Sequence, residues 1–158
     1  MPKITALLHT HNDALRLGRA LDSLRACDEV LVIDDSSDDD TLKVAREHGA
    51  SAKVAIPGVT PGAYAMDAAH DWVFCIFSNE ALSEALEATL FEWKEKDPGE
   101  SAAGFKVQIR EETRNGWQIQ EAEVRLVNRK VVNWVGDMPP DQERATTLVG
   151  ELLRFCEP

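Results

Sequence analysis

The first half of the chain alternates short apolar runs with helically spaced apolar positions. Ile4–Leu8 reads as a buried strand and stops at His9-Thr10-His11-Asn12-Asp13, where Asn12 or Asp13 can cap a helix. Leu15, Leu17, Leu21 and Leu24, with Ala14 and Ala20, then follow helical spacing toward Ala26. Glu29–Ile33 is a second strand ended by Asp34-Asp35. Ser36–Asp40 is a loop whose side chains cap a helix over Thr41–His48, and Gly49 stands at the C-cap position. Ala52–Ile56 makes a third strand. This β-α-β-α-β order predicts a parallel sheet with right-handed crossovers.

Further along, Pro57–Gly62 is a loop, Ala63–Ala69 a short helix, and Trp72–Phe77 an uninterrupted apolar strand of the kind buried in a parallel sheet. Ser83 and Glu84 open a helix to about Lys96, stopped by Asp97-Pro98-Gly99. The pattern then changes period. Gly104–Glu111 and Trp117–Asn128 read as strands around the turn Thr113-Arg114-Asn115-Gly116, an Asn-Gly hairpin signal. Val131–Val135 adds a third strand. Asp141–Cys156 is expected as a closing amphipathic helix with Leu148, Leu152, Leu153 and Phe155 facing inward.

With 158 residues the chain has room for one core, and a 44% hydrophobic, 28% charged composition excludes a disordered tail protein. Its formal net charge is -11, from 17 basic and 28 acidic residues. That field repels phosphate backbones and anionic lipid, so neither nucleic acid nor a membrane surface is expected as partner. A small anion would need a locally basic pocket or a metal. Cys27, Cys75 and Cys156 form no CxxC pair, which points to reduced, buried thiols and a cytoplasmic setting. No apolar run reaches the length of a membrane span.

The densest polar feature is Asp34, Asp35, Asp38, Asp39 and Asp40, five carboxylates in seven residues. It lies at the carboxyl end of a parallel strand, where open α/β sheets place their ligands. Capping of the following helix accounts for Ser37–Asp40 as well as a ligand would. Asp34, the first polar residue off the strand, is the better candidate for a ligand contact. His9 and His11 form an H-x-H that, with Asp34, would make a two-His, one-carboxylate metal site, though such pairs arise easily by chance. The chain contains no GxGxxG, GxxxxGK[ST], GxSxG or HExxH, so dinucleotide, P-loop, serine-hydrolase and zincin chemistry find no support.

The stretch from Ile4 to Ala50 resembles the opening of family 2 glycosyltransferases with the GT-A fold, which reads as a strand, a P-T-Y-N-E-like turn, a helix and V-x-D-x-x-S-x-D-x-T. The Asn12-Asp13 turn, Asp34, Ser37, Asp39 and Thr41 agree in type and spacing. Asp71-Trp72-Val73-Phe74 is similar to the D-W-V-L strand before the family's metal motif, and Arg125-Leu126-Val127 through Trp134-Val135-Gly136 resembles the late strands of a lipopolysaccharide-core-type branch. The resemblance implies a single α/β, GT-A-like domain over residues 1–158: a mainly parallel sheet with helices on both faces. Residues 1–97 would form the nucleotide-binding half, and residues 98–158 a β-hairpin and closing helix. It further implies a UDP-type nucleotide-sugar as ligand, with Thr10 and His11 flanking the base, Asp13 near the nucleoside and Asp34 accepting from the base edge.

The departures from the family bear on mechanism. The D-x-D that holds Mg²⁺ or Mn²⁺ should follow Ile76, where this chain has Phe77-Ser78-Asn79, so no metal site is expected. Met138-Pro139-Pro140 replaces the acidic residues expected after W-x-G, and no catalytic residue is assigned. Neutralising a leaving diphosphate would then fall to cations, with Arg125 and Arg129 the candidates. The resulting expectation is a glycosyltransferase-like protein that is metal-independent or catalytically degenerate. The alternatives are a non-catalytic nucleotide-sugar or protein-partner module and, less favoured, a His/Asp metal-dependent hydrolase.

Overall fold

A computed structural model describes residues 1–98, 102–134 and 136–156. Strands β1 (Ile4–Thr10), β2 (Glu29–Asp34) and β3 (Ser51–Val54) are separated by helices α1 (Ala14–Asp22) and α2 (Thr41–Glu47). A 3-10 helix (Pro61–Asp67) leads to β4 (Trp72–Phe77), the short β5 (Glu80–Leu82) and α3 (Glu84–Lys96). The chain then adds β6 (Gly104–Thr113), β7 (Gly116–Ile119), β8 (Glu123–Asn128) and β9 (Thr146–Arg154). The strands form one sheet in the order β3-β2-β1-β4-β8-β6-β9-β5, with β7 paired to β6. β3, β2, β1 and β4 run parallel, as the alternating pattern predicts, whereas β8 joins β4 antiparallel and opens a mixed half.

Helices cover both faces, unequally. All three α-helices lie on one side, where Leu17, Leu21, Leu86, Leu90 and Trp93 pack on Ile4, Leu8, Phe74 and Ile76. Trp72, Trp93 and Phe105 meet there edge-on or tilted, with centroids 4.8 to 5.9 Å apart. The 3-10 helix and the segment after β8 close the other side, bringing Tyr64, Ala65, Val132 and Trp134 onto Leu7, Ile33, Val73 and Cys75. Gly62 makes this closure possible. A Cβ there would lie 2.3 Å from both the Gly136 carbonyl and the Trp134 ring.

Three expectations are corrected. The closing helix over Asp141–Cys156 is not formed: Thr146–Arg154 is β9, parallel to β6 and antiparallel to β5. Thr146, Thr147 and Val149 favour extended backbone, and Gly150 at φ +106° crosses α3 so closely that a Cβ would lie 2.4 Å from the Leu86 nitrogen. The third strand expected at Val131–Val135 is absent over residues 131–134, because the backbone nitrogens of Val131 and Val132 turn back to the Asn128 carbonyl at 3.0 and 2.9 Å. Val135, and Gly99 in the stop after α3, lie outside the described residues. Of the cysteines only Cys75 is fully buried; Cys27 is half-buried and Cys156 exposed.

Candidate functional site

A cleft of about 550 Å³ opens at the carboxyl ends of β1, β2 and β4. Parallel strands deliver their last residues to this edge, so three connecting loops converge on it. It is lined by the ends of β1 and β2 (His9, Thr10 and Ile33), the turn residues His11, Asp13 and Arg16, the 55–61 segment, the 77–79 loop and Asp137. The 55–61 wall is fixed by the Tyr64 hydroxyl, which accepts from the Ile56 nitrogen at 2.7 Å.

The loops after β1 and β2 are laced together by the residues of the Asx/Ser-rich pattern. The Asn12 nitrogen donates to Ser37 Oγ at 2.8 Å, the Asp38 nitrogen to Asn12 Oδ1 at 2.7 Å, and the Asp13 nitrogen to Thr41 Oγ1 at 3.1 Å. Asn12 and Ser36 reach positive φ, 45° and 51°, to make these turns. Asp39 accepts from the Thr41 hydroxyl and nitrogen, which hold its carboxyl below the usual carboxylate range. The capping expected of the 36–40 loop is carried by Asp39, which accepts from the first nitrogens of both helices, Thr41 at 3.0 Å and Ala14 at 3.3 Å, while Asp13 and Asp40 make no side-chain cap.

Of the residues expected to hold a nucleotide, Thr10, His11 and Asp13 line the cleft. Asp34 does not. It is fully buried, and its carboxylate accepts from the Ser37 nitrogen at 3.1 Å and from the Ser37 hydroxyl. The His9–His11–Asp34 grouping is not assembled: His11 Nδ1 contacts the Asp35 carbonyl, while His9 is buried with both ring nitrogens unpartnered. Burial and the nearby Arg125 charge push the His9 imidazole down to about 4, so it is neutral at physiological pH.

The two arginines expected to face a diphosphate are committed elsewhere. Arg125 is the extra residue of a bulge in β8 opposite β6, where Phe105 pairs Leu126 and Lys106 pairs Val124. It is fully buried and holds Glu80 bidentately at 2.7 and 2.8 Å, with a further bond to the Cys75 carbonyl at 3.1 Å. Burial alone would raise the Glu80 pKa, but Arg125 and Arg154 outweigh it and hold the carboxyl below its ordinary value. Arg129 lies at the opposite end of β4, bonded to Asp71 and to the Ala65 and Ala68 carbonyls. Pattern reading alone could not separate a buried from a cleft-facing arginine.

Two cleft residues were missed. Arg16 sits one turn into α1 beside Asp13, with Nε 2.7 Å from Asp13 Oδ1. Asp137, directly after W-x-G and before Met138-Pro139-Pro140, adds a carboxylate to the lining of the same cleft. Proximity to the family's own motifs was the available signal for both.

Residues 5–57 match the family model described as Glycosyl transferase family 2, about a third of the chain. An uncharacterized glycosyltransferase of Rickettsia felis is 36% identical over 91 residues, covering 55% of this chain and 32% of the relative. Another from Rickettsia typhi is 36% identical over 92 residues, covering 55% and 31%. The matched stretch thus spans about a third of the length of these curated relatives. Among solved structures, S. aureus TarS 1-349 in complex with UDP superposes with TM-score 0.55 at 19% identity, over 75% of this chain and 38% of that one. Glucosyl-3-phosphoglycerate synthase from Mycobacterium tuberculosis, in complex with Mn²⁺, UDP-glucose and phosphoglyceric acid, does so with TM-score 0.53 at 23% identity, over 69% and 44%. The fold is that of GT-A glycosyltransferases, and the chain is family 2 glycosyltransferase-like.

The residues of this cleft do not fit a divalent ion such as the Mn²⁺ of that synthase. After β4 the chain offers a phenyl ring, a hydroxyl and an amide in Phe77, Ser78 and Asn79. The next carboxylate, Glu80, is buried on Arg125, and Asp13 is shared by Arg16 and the Ser78 hydroxyl. Among the described residues no group of three or more His, Cys, Asp or Glu side chains is placed to hold a metal ion. No helix among them is long and apolar enough to cross a membrane.

Proposed function

We propose that the cleft binds the nucleotide part of a UDP-type nucleotide-diphospho-sugar, without a carboxylate-held divalent ion, in a cytoplasmic protein. The observation that carries this reading is the cleft itself, whose lining at the carboxyl ends of β1 and β2 belongs to the segment that matches the family model. The UDP and UDP-glucose bound in these two structural neighbours support the ligand class. Thr10, His11 and Asp13 are the proposed nucleotide contacts. Thr10 Oγ1 is buried and unpartnered, and so is available to a ligand donor or acceptor. Buried, unpaired Cys75 supports the reducing setting.

Calorimetric titration with uridine, UDP and UDP-glucose, in EDTA and then in Mn²⁺, tests the reading. Binding of equal strength in both conditions is expected. Binding that appears only with Mn²⁺ would overturn the metal-independent part, and no binding in either would overturn the whole.

A second reading, that the chain transfers the sugar, is favoured by the Asp137 carboxylate in the same cleft, a group able to take an acceptor proton. UDP release from a donor panel that Asp137→Asn abolishes would establish it.

A further inference from the structure

We propose that Arg16 is the cation that meets the diphosphate, in place of the divalent ion whose carboxylates this chain lacks; the inference rests on the cleft being a nucleotide-diphosphate site. Among the residues lining the cleft Arg16 carries the one Lys or Arg side chain. Around it stand Asp13, Asp35 and Asp137, so without Arg16 the walls would repel a diphosphate outright.

Its position is the second argument. Asp13 accepts from Arg16 Nε with Oδ1 and from Ser78 Oγ with Oδ2, both at 2.7 Å. The Phe155 carbonyl accepts from Arg16 Nη1 at 3.1 Å and from Asn79 Nδ2 at 3.4 Å, and the Phe155 nitrogen returns to the Asn79 carbonyl at 2.8 Å. One intermediary on each side therefore ties the guanidinium to Ser78 and Asn79, the loop that follows β4. The third argument is capacity. Two of the five N–H groups are spent in holding the fork still, while Nη2 has no hydrogen-bond partner among the described residues and the side chain is 23% exposed. A planar donor already fixed by a carboxylate loses little freedom when it takes a phosphate oxygen.

The test compares ligands with and without the diphosphate, using the full chain in EDTA. Wild-type protein should bind UDP more tightly than uridine. Arg16→Gln should weaken UDP by about tenfold or more while changing uridine by less than about twofold, the asymmetry expected for losing a charge-assisted contact to phosphate alone. Arg16→Lys, which keeps the charge and its pairing with Asp13, should retain part of the UDP preference. This variant decides the matter if Arg16→Gln does not fold. An unchanged ratio of UDP to uridine affinity in Arg16→Gln would overturn the assignment and leave the nucleotide reading standing. Failure of the wild type to bind either ligand would remove the nucleotide reading itself, and a preference for UDP that appears only with Mn²⁺ would overturn Arg16 as the counter-charge.

Discussion

Two loops leave neighbouring parallel strands and reach the same cleft, yet they handle charge in opposite ways. After β2, Asp35, Asp38, Asp39 and Asp40 stay exposed, and only Asp34 is turned in, onto Ser37. After β4 the turn Phe77-Ser78-Asn79 is buried or half-buried and has no carboxylate, and the one acidic side chain, Glu80, is fully buried between Arg125 and Arg154. The β2 loop keeps the family's polar pattern and is held by neutral hydroxyls and amides. The β4 loop instead holds an inward ion pair, and Glu80 also accepts from the Phe77 nitrogen at 2.9 Å. Charge near a cleft can therefore serve the scaffold alone; exposure and partners decide which use it has.

The largest way to break this contrast is Arg125→Met. The variant leaves Glu80 in an apolar site with only Arg154 beside it, and removing one member of a buried pair costs about 3–5 kcal/mol. Urea unfolding should show that loss, with a fall in Tm of roughly 10 °C or more for a chain of this size. Metal-free uridine affinity, measured where the variant is still folded, should change little. A loss of UDP affinity with unchanged stability would mean that Arg125 faces the ligand after all.

Acid sharpens the comparison next. His9 is held neutral in the fold with a pKa of about 4, against an ordinary 6.5, so the unfolded chain binds the extra proton between those limits. Its contribution is full above pH 6.5 and is lost as pH falls toward 4, amounting to about 3 kcal/mol. Glu80, whose folded pKa is depressed, contributes above 4.5 and adds its loss only below that. Stability measured from pH 8 to 3 should thus fall in two windows, and His9→Phe should flatten the upper one alone.

The parallel half was legible because each element there has one dominant local signal: apolar Trp72–Phe77 for a central strand, and Ser83, whose Oγ accepts from the Leu86 nitrogen at 3.2 Å, for the start of α3. Hairpin β6–β7 followed from Asn115-Gly116, with Gly116 at φ +104°. β9 was illegible because its leucines satisfy a helical period as well as an extended one, and only pairing with β6 and the close crossing at Gly150 choose between them. β5 has three residues, too few for any periodicity. At the cleft, Thr10, His11 and Asp13 were legible from the turn motif. Arg16 was not, since an arginine on an amphipathic helix looks like any solvated charge until Asp13 and Phe155 are seen to hold it.

The smallest expected effect concerns Asp34, the β2-loop residue that resembles Glu80 in being buried. Among the described residues its carboxylate accepts from Ser37 alone, and Ser37 Oγ in turn accepts from the Asn12 nitrogen at 2.8 Å. Asp34→Asn keeps one acceptor oxygen and sets an amide against the other donor, so the loss should be about 1–2 kcal/mol. Ser37→Ala removes the same contact from the other side. The two changes should therefore be non-additive in a double-mutant cycle, and uridine affinity should fall by the same factor in each, through loosening of the Asn12 turn. An affinity loss confined to Asp34→Asn, with Ser37→Ala unaffected, would show instead that the carboxylate itself touches the base.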